Sequence, residues 1–335
     1  MPTLLPGLTA GLIAGLLALP PGMAAPASPA ATAAPTDRAA DTTPPSEEGS
    51  ETDQAIASAR RTVRATAEWL ASGVDSWFGD KPFSAGGRVS EGRLDISAIQ
   101  RQRESVDIKV RFNGRFRLPN LEQRTYLFVG RDNPREVISD KPGSFSRQQQ
   151  LLTETNADRA TFGGIGRLLS ESVDLRLGLR GGLKPYVQAR YRRPWTLGPA
   201  DDIELRQTLF WSPDSHLGTT TAFSWQHTFT PALAGRWLNA ATVTQTDTRT
   251  EWHSNLGAYL SLAQQRLAAL ELLATGRLRG DVAVTDYGLQ LRWEQPLHDS
   301  GLLGEVIVGS FWPRADAGVL RRQAWAAGGG LKLRF

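Results

Sequence analysis

From Ser105 onward the chain alternates residue by residue between two kinds of side chain. Val106, Ile108, Val110, Phe112, Gly114, Phe116 and Leu118 fall on one side of an extended segment, and Asp107, Lys109, Arg111, Asn113, Arg115 and Arg117 on the other. Successive side chains of a strand point to opposite faces, so this segment is a strand with one apolar and one charged face. Few environments accept it. Soluble sandwich strands alternate too, but rarely for so long or with so many charges. A barrel in a bilayer requires apolar residues outside and polar ones inside, because lipid leaves no partner for unpaired backbone. Beyond the first two dozen residues no apolar run is long enough to cross as a helix. The absence of Cys excludes a disulfide framework and thiol-ligated metal.

The same alternation continues. Strands are expected at about 125–131, 159–170, 172–181, 184–196, 201–212, 218–229, 235–246, 251–263, 266–277, 282–295, 300–312 and 322–335. With the one at 105–118 they make an odd number, whereas a single-chain bacterial barrel with both ends on one side needs an even one. Residues 88–97, where Leu94 and Ile96 alternate with Arg93 and Asp95, supply the missing strand. The expected fold is all-β, an antiparallel up-and-down transmembrane barrel of fourteen strands over residues 84–335, with twelve as the alternative. Fourteen leave about 18 residues per strand and connection, enough for a span of about 9–11 plus a turn. The short links at Pro119–Gln123, Ser170–Ser172, Leu197–Asp202, Thr230–Ala234, Gln264–Gln265 and Pro296–Asp299 read as periplasmic turns. The long polar stretch Asp132–Asp158 then faces outward. Its few apolar residues favour a solvated surface loop over one folded into the barrel.

The N-terminal part is different. An apolar run from Leu8 to Leu19 followed by the small residues Ala25 to Ala27 reads as a signal peptide over residues 1–27, although Met1–Pro6 carries no Lys or Arg. No Cys follows the site, which speaks against a lipid-anchored form. Residues 28–52, rich in Ala, Pro, Thr and acidic side chains, read as a disordered periplasmic leader. Over 53–80, Ile56, Val63, Leu70, Val74 and Trp77 recur at helical spacing, so an amphipathic helix is expected there. It would pack on protein, lie on the inner leaflet or plug the barrel. The first 53 residues hold one cation, Arg38, and six anions, so the remainder carries about +9 against the whole-chain +4.

Two features favour a membrane over a soluble β fold. Eight of the ten Trp lie in the barrel segment, at 195, 211, 225, 237, 252, 293, 312 and 325, mostly near strand ends where interfacial girdles sit. The chain also stops on a strand in which Trp325, Ala327, Gly329, Leu331, Leu333 and Phe335 alternate with Lys332 and Arg334. A last strand ending in Phe resembles the C-terminal assembly signal of Gram-negative outer-membrane barrel proteins. The resemblance implies outer-membrane lipid and, through Phe335, the barrel assembly machinery as partners. More narrowly, the run Tyr287-Gly-Leu-Gln-Leu-Arg-Trp, with Gly304-Glu-Val and Trp312-Pro, resembles a group of proteobacterial outer-membrane proteins with no assigned activity. It implies no functional residue.

Catalytic readings fail on spacing. Phospholipase-type and lipid A deacylase-type barrels use a His and a Ser two apart on one strand face. Here Ser254 is adjacent to His253 and projects from the opposite face, while Asn255, Gly257 and Tyr259 share the side of His253. His216, with Ser212, Asp214 and Ser215, falls in a loop. The glycines at 163, 164 and 166 lie within a strand and open no helix, so close strand packing accounts for them better than a phosphate cradle. No carboxylate cluster has metal-ligand spacing, and neither cofactor nor metal is expected.

The inward face is the informative one. Parity assigns Lys109, Arg111, Arg115, Arg117, Arg176, Arg180, Arg190, Arg192, Arg206, Arg292, Lys332 and Arg334 to the lumen, against Asp107, Asp174, Glu204, Glu271, Glu294 and Glu305. These groups either fill the barrel as a polar network, with Arg206–Glu204 and Arg292–Glu294 pairing along one strand face, or attract anions into an open channel. The expected function is a non-enzymatic, porin-like channel for small anionic solutes. The rivals are a lipid-modifying enzyme using His253 and a closed barrel plugged by residues 53–78. Enclosed basic residues form no surface stripe, so nucleic acid is not an expected partner.

Overall fold

In the computed structural model the described residues are 88–119, 124–141, 151, 160–262, 265–298, 301–314 and 316–335, with six isolated positions between 54 and 65. Fourteen antiparallel strands close into one barrel in simple up-and-down order: β1 (Arg88–Arg101), β2 (Asp107–Arg117), β3 (Thr125–Asp132), β4 (Ala160–Leu168), β5 (Val173–Arg180), β6 (Lys184–Thr196), β7 (Asp201–Ser212), β8 (His216–Thr228), β9 (Leu233–Thr244), β10 (Glu251–Leu262), β11 (Arg266–Arg277), β12 (Asp286–His298), β13 (Leu302–Phe311) and β14 (Ala324–Arg334). The strand read at 88–97 is present and runs four residues further. It closes the barrel by pairing β2 on one side and β14 on the other. Closure leaves no edge strand, which is what a sheet surrounded by lipid needs. The signal peptide, the leader and most of the 53–80 helix lie outside the described residues. Gln54, Ala57, Ser58, Arg61, Thr62 and Ala65 are helical.

Directly paired residues of antiparallel strands share a face, so the register sorts every strand into outside and inside. Leu177, Leu209, Leu256, Leu272, Leu291, Val306 and Leu331 stand outside and are exposed. Aromatic rings ring this apolar belt. Trp195, Trp225, Trp237 and Trp293 lie toward the end that carries Phe335, and Trp211, Tyr287 and Trp325 toward the other. Outward polar groups between the girdles satisfy each other: Gln207 donates to Thr219 Oγ1 at 2.5 Å and accepts from Thr221 Oγ1 at 2.8 Å. Phe335 packs outside the β1–β14 seam, stacked on Phe112 with ring centroids 6.2 Å apart and planes 15° apart.

Inside, the wall fits itself by pairing rings with glycines. The Tyr126 ring occupies the place where a Cβ on Gly166 would sit, and Tyr186 covers Gly178 in the same way. The glycines at 163–166 are therefore a packing feature of β4, in keeping with the close-packing reading. Tyr126, Phe128, Ile138, Phe162, Tyr186 and Phe210 make one inner apolar cluster, and Ile99, Leu151, Leu273, Ile307, Phe311 and Ala326 another.

Two of these residues, Ile138 and Leu151, come from the connection between β3 and β4. The expectation of a solvated surface loop is corrected here. A short helix, α1 (Pro134–Ser139), lies inside the barrel against β6 and β7, and Asp140 and Leu151 after it are buried there too. Asn133, Ile138, Ser139, Asp140 and Leu151 are all buried. Apolar count was the wrong criterion, because the anchoring is mainly polar: Gln188 donates to the carbonyls of Val137 and Ile138 at 3.2 and 2.9 Å, and Asp140 binds wall arginines.

Candidate functional site

Register puts Lys109, Arg111, Arg115 and Arg117 of β2, Arg176 and Arg180 of β5, Arg190 and Arg192 of β6, Arg206 of β7 and Arg292 of β12 on the lumen face. Most are engaged with carboxylates. Lys109 lies 3.6 Å from Asp107, Arg111 3.2 Å from Asp132 and Arg115 3.8 Å from Glu91. Arg176 pairs with Asp174 at 3.0 Å and with the Tyr126 hydroxyl at 2.9 Å, while Arg115 stacks over the same ring at 4.2 Å. Arg180 reaches Asp214 in the β7–β8 turn. Arg117 stays exposed. The expected Arg206–Glu204 pair forms, at 3.2 Å. The expected Arg292–Glu294 pair does not: Arg292 turns across the sheet to Glu271, and Glu294 takes Lys332. Spacing along a strand misses this because the nearest carboxylate belongs to the neighbouring strand.

Three features on the wall of β5 to β12 have the strongest chemical character. The first is Asp140, at the end of α1, held by Arg190 Nη2 at 2.7 Å, Arg206 Nη1 at 3.2 Å and the Thr208 hydroxyl at 3.0 Å. Burial opposes its ionisation, yet Arg190 and Arg206, with Arg176 behind them and the Thr208 hydroxyl, hold its carboxyl below the usual carboxylate range. The second is Glu271, which has no exposed surface and accepts from Asn255 and Tyr259 on one oxygen and from Gln290 and Arg292 on the other. The third is Arg236 of β9, 6% exposed, whose Nε and Nη2 have no hydrogen-bond partner among the described residues.

Arg236 and Asp140 are absent from the sequence-derived set, as are Asp95, Asp132, Glu251 and Asp286, which also face the lumen. For Arg236 a signal existed, since it alternates in phase with Leu238 and Ala240. Those apolar neighbours also face inward, so composition hid the polar face of β9. Asp140 had no strand parity to reveal it.

His253 lies on the lumen side of β10, opposite Thr275, and its Nε2 has no hydrogen-bond partner among the described residues. Ser254 points outward, where Trp237 Nε1 donates to it at 3.4 Å. The two side chains leave opposite faces, so they form no nucleophile–base pair. His227 stands outside beside Asp201 at 2.8 Å, within the aromatic girdle. Among the described residues no group of His, Asp and Glu has the arrangement of a metal site.

No protein-family model matches the chain, and no curated protein matches it. Solved structures similar to it include the outer membrane channel DcaP of Acinetobacter baumannii (9% identity, TM-score 0.46, covering 77% of this chain and 99% of that one). OccK11 (OpdR) of Pseudomonas aeruginosa aligns at 9% identity with TM-score 0.41, covering 75% and 96%. The KdgM porin aligns at 8% identity with TM-score 0.35, covering 72% and 99%.

Proposed function

We propose that the chain is an outer-membrane channel of a Gram-negative bacterium that admits small anionic solutes. Its outer face supports the membrane part of this reading. An apolar belt between two aromatic girdles matches the hydrocarbon and its two interfaces, and a charged interior suits a wetted lumen. Phe335 then lies at the periplasmic end with the short links, where the assembly machinery meets it, and the β3–β4 connection enters from outside. DcaP and KdgM, described as an outer membrane channel and a porin, agree with the reading by name.

The observation that carries the anionic part is the run of guanidinium groups around one wall. Arg176, Arg190 and Arg206 occupy consecutive strands, and Arg236 and Arg292 continue the series. Carboxylates bind several of them directly, whereas Arg236 Nε and Nη2 have no hydrogen-bond partner among the described residues and the group meets Glu271 and Glu204 only through longer-range attraction. A guanidinium that no carboxylate binds directly, set in the low-dielectric wall of a water-filled passage, raises the local concentration of anions. Planar-bilayer conductance under a salt gradient tests this. The reversal potential should indicate anion selectivity, which should weaken as salt rises from ~0.1 to ~1 M, because the Debye length falls from about 10 to about 3 Å. Arg236→Gln should reduce selectivity without unfolding the barrel. Cation selectivity would refute the anionic part of the reading, and no current at all would refute the channel itself.

A further inference from the structure

We propose that Arg190, Arg206 and Thr208 form a carboxylate-binding site in the lumen whose resident occupant is the chain's own Asp140, so that a carboxylate solute binds by displacing it. The inference rests on the anion-channel reading for the route by which such a solute arrives.

The geometry of a carboxylate site is complete. Two guanidinium groups and one hydroxyl, from adjacent strands β6 and β7, converge on both oxygens of a single carboxylate at 2.7–3.3 Å. Planar guanidinium forks are the groups best matched to a carboxylate, and the hydroxyl fixes its orientation. The strands that carry these donors are fixed without Asp140, and Arg206 has a second carboxylate, whereas Arg190 is bound by Asp140. Glu204 also binds Arg206, and β6 and β7 are continuously paired through Arg190↔Thr208 and Arg192↔Arg206. The site is therefore built on rigid strands and filled from a connection.

The backbone at Asp140 points the same way. α1 ends with Lys141 N donating to the Glu136 carbonyl at 3.0 Å, a six-to-one closure, and Asp140 occupies the left-handed position of that turn with φ 55°. Glycine is the usual residue there, because a Cβ is disfavoured in that conformation. Aspartate brings to the position a carboxylate that reaches the clamp.

One neighbour of the clamp reaches solvent. Arg192, one step further along the same face of β6, has a side chain 55% exposed and shares Glu204 with Arg206. Diffusion through a passive channel brings solute to both ends of the lumen, and an anion on the Phe335 side meets Arg192 first and Arg206 and Arg190 next. Exchange of one carboxylate for another leaves the charge of the clamp unchanged, so the solute competes with a tethered group. Tethering acts as an effective concentration on the order of mM, which weakens apparent binding of the free ligand.

The test uses succinate and the detergent-solubilised full chain, with titration calorimetry at constant ionic strength and chloride as the reference anion. Asp140→Asn should bind succinate at least about tenfold more tightly than the unsubstituted chain, with no such gain for chloride. Adding Arg190→Gln or Thr208→Val should remove the gain. Asp140→Ala, which leaves no hydrogen-bonding group in the clamp, should behave as Asp140→Asn does. Equal succinate affinity with and without Asp140, or a gain that survives Arg190→Gln, would overturn the proposal. Binding is read without a membrane current. A barrel that shows the gain but carries no current would overturn the channel and leave the site standing, whereas an anion-selective barrel without the gain would overturn the site alone.

Discussion

Glu271→Gln is the sharpest test of whether the lumen wall is a sealed polar network. A carboxylate offers about four lone-pair sites, and in Glu271 all four are engaged: Asn255 Nδ2 at 3.2 Å and Tyr259 Oη at 2.7 Å on one oxygen, Gln290 Nε2 at 2.7 Å and Arg292 on the other. Glutamine has almost the same shape but replaces one oxygen with an NH2 group. With its NH2 turned to Gln290 and Arg292 two donors face a donor; turned the other way it faces the Asn255 amide donor, while the Tyr259 hydroxyl can rotate to accept. Each buried donor left unsatisfied costs about 1–3 kcal/mol. Arg292, with a side chain 1% exposed, also loses its countercharge. Breaking a buried pair by removing one partner typically costs about 3–5 kcal/mol, and the two counts overlap rather than add. The expected loss is therefore about 3–5 kcal/mol, read by urea unfolding of the barrel in lipid vesicles with Trp fluorescence. A double variant, Glu271→Leu with Arg292→Leu, should recover only the part owed to the stranded charge, since Asn255, Tyr259 and Gln290 still lose their acceptor. A loss below about 1 kcal/mol in Glu271→Gln would refute the reasoning, because it would mean that water reaches these groups and the network is not sealed.

Leu272→Arg places a charge mid-strand on the outer face, where Leu272 is 52% exposed, and should cost about 2–4 kcal/mol in the same assay; a neutral effect would argue against lipid outside. Gly178→Ala brings a Cβ within 2.6 Å of the Tyr186 ring and should cost about 1–3 kcal/mol. Adding Tyr186→Leu should recover part of that cost, and unfolding midpoints check both. Asp140 has its carboxyl held below the ordinary 3.8, so its pairing is fully present above that pH and is lost as pH falls through the lower folded value. The stability difference between the unsubstituted chain and Asp140→Asn should be flat from about pH 5 to 8 and vanish in strong acid; a difference that changes near neutrality would contradict the assignment.

Strand existence and facing were readable because period two survives any register. Arg176, Arg190 and Arg292 face inward for the same reason that Leu177, Leu291 and Val306 face outward. Who pairs with whom was not readable. The partner of Arg292 lies on β11, set by a cross-strand register that no local spacing encodes. Arg236 escaped notice because its strand carries apolar residues on both faces. His253 and Ser254 illustrate the opposite case, where adjacency in sequence alone was enough to separate them.

The alternation beginning at Ser105 and repeated to Phe335 determined a closed, inside-out sheet, because only such a sheet pairs every backbone group while presenting one apolar and one charged face. The interior arrangement was decided by tertiary structure. Asp140 enters the barrel because two arginines from strands fifty or more positions later meet there, and their attraction outweighs the cost of burying a polar segment. That attraction depends on distance in space, and sequence separation carries no record of it.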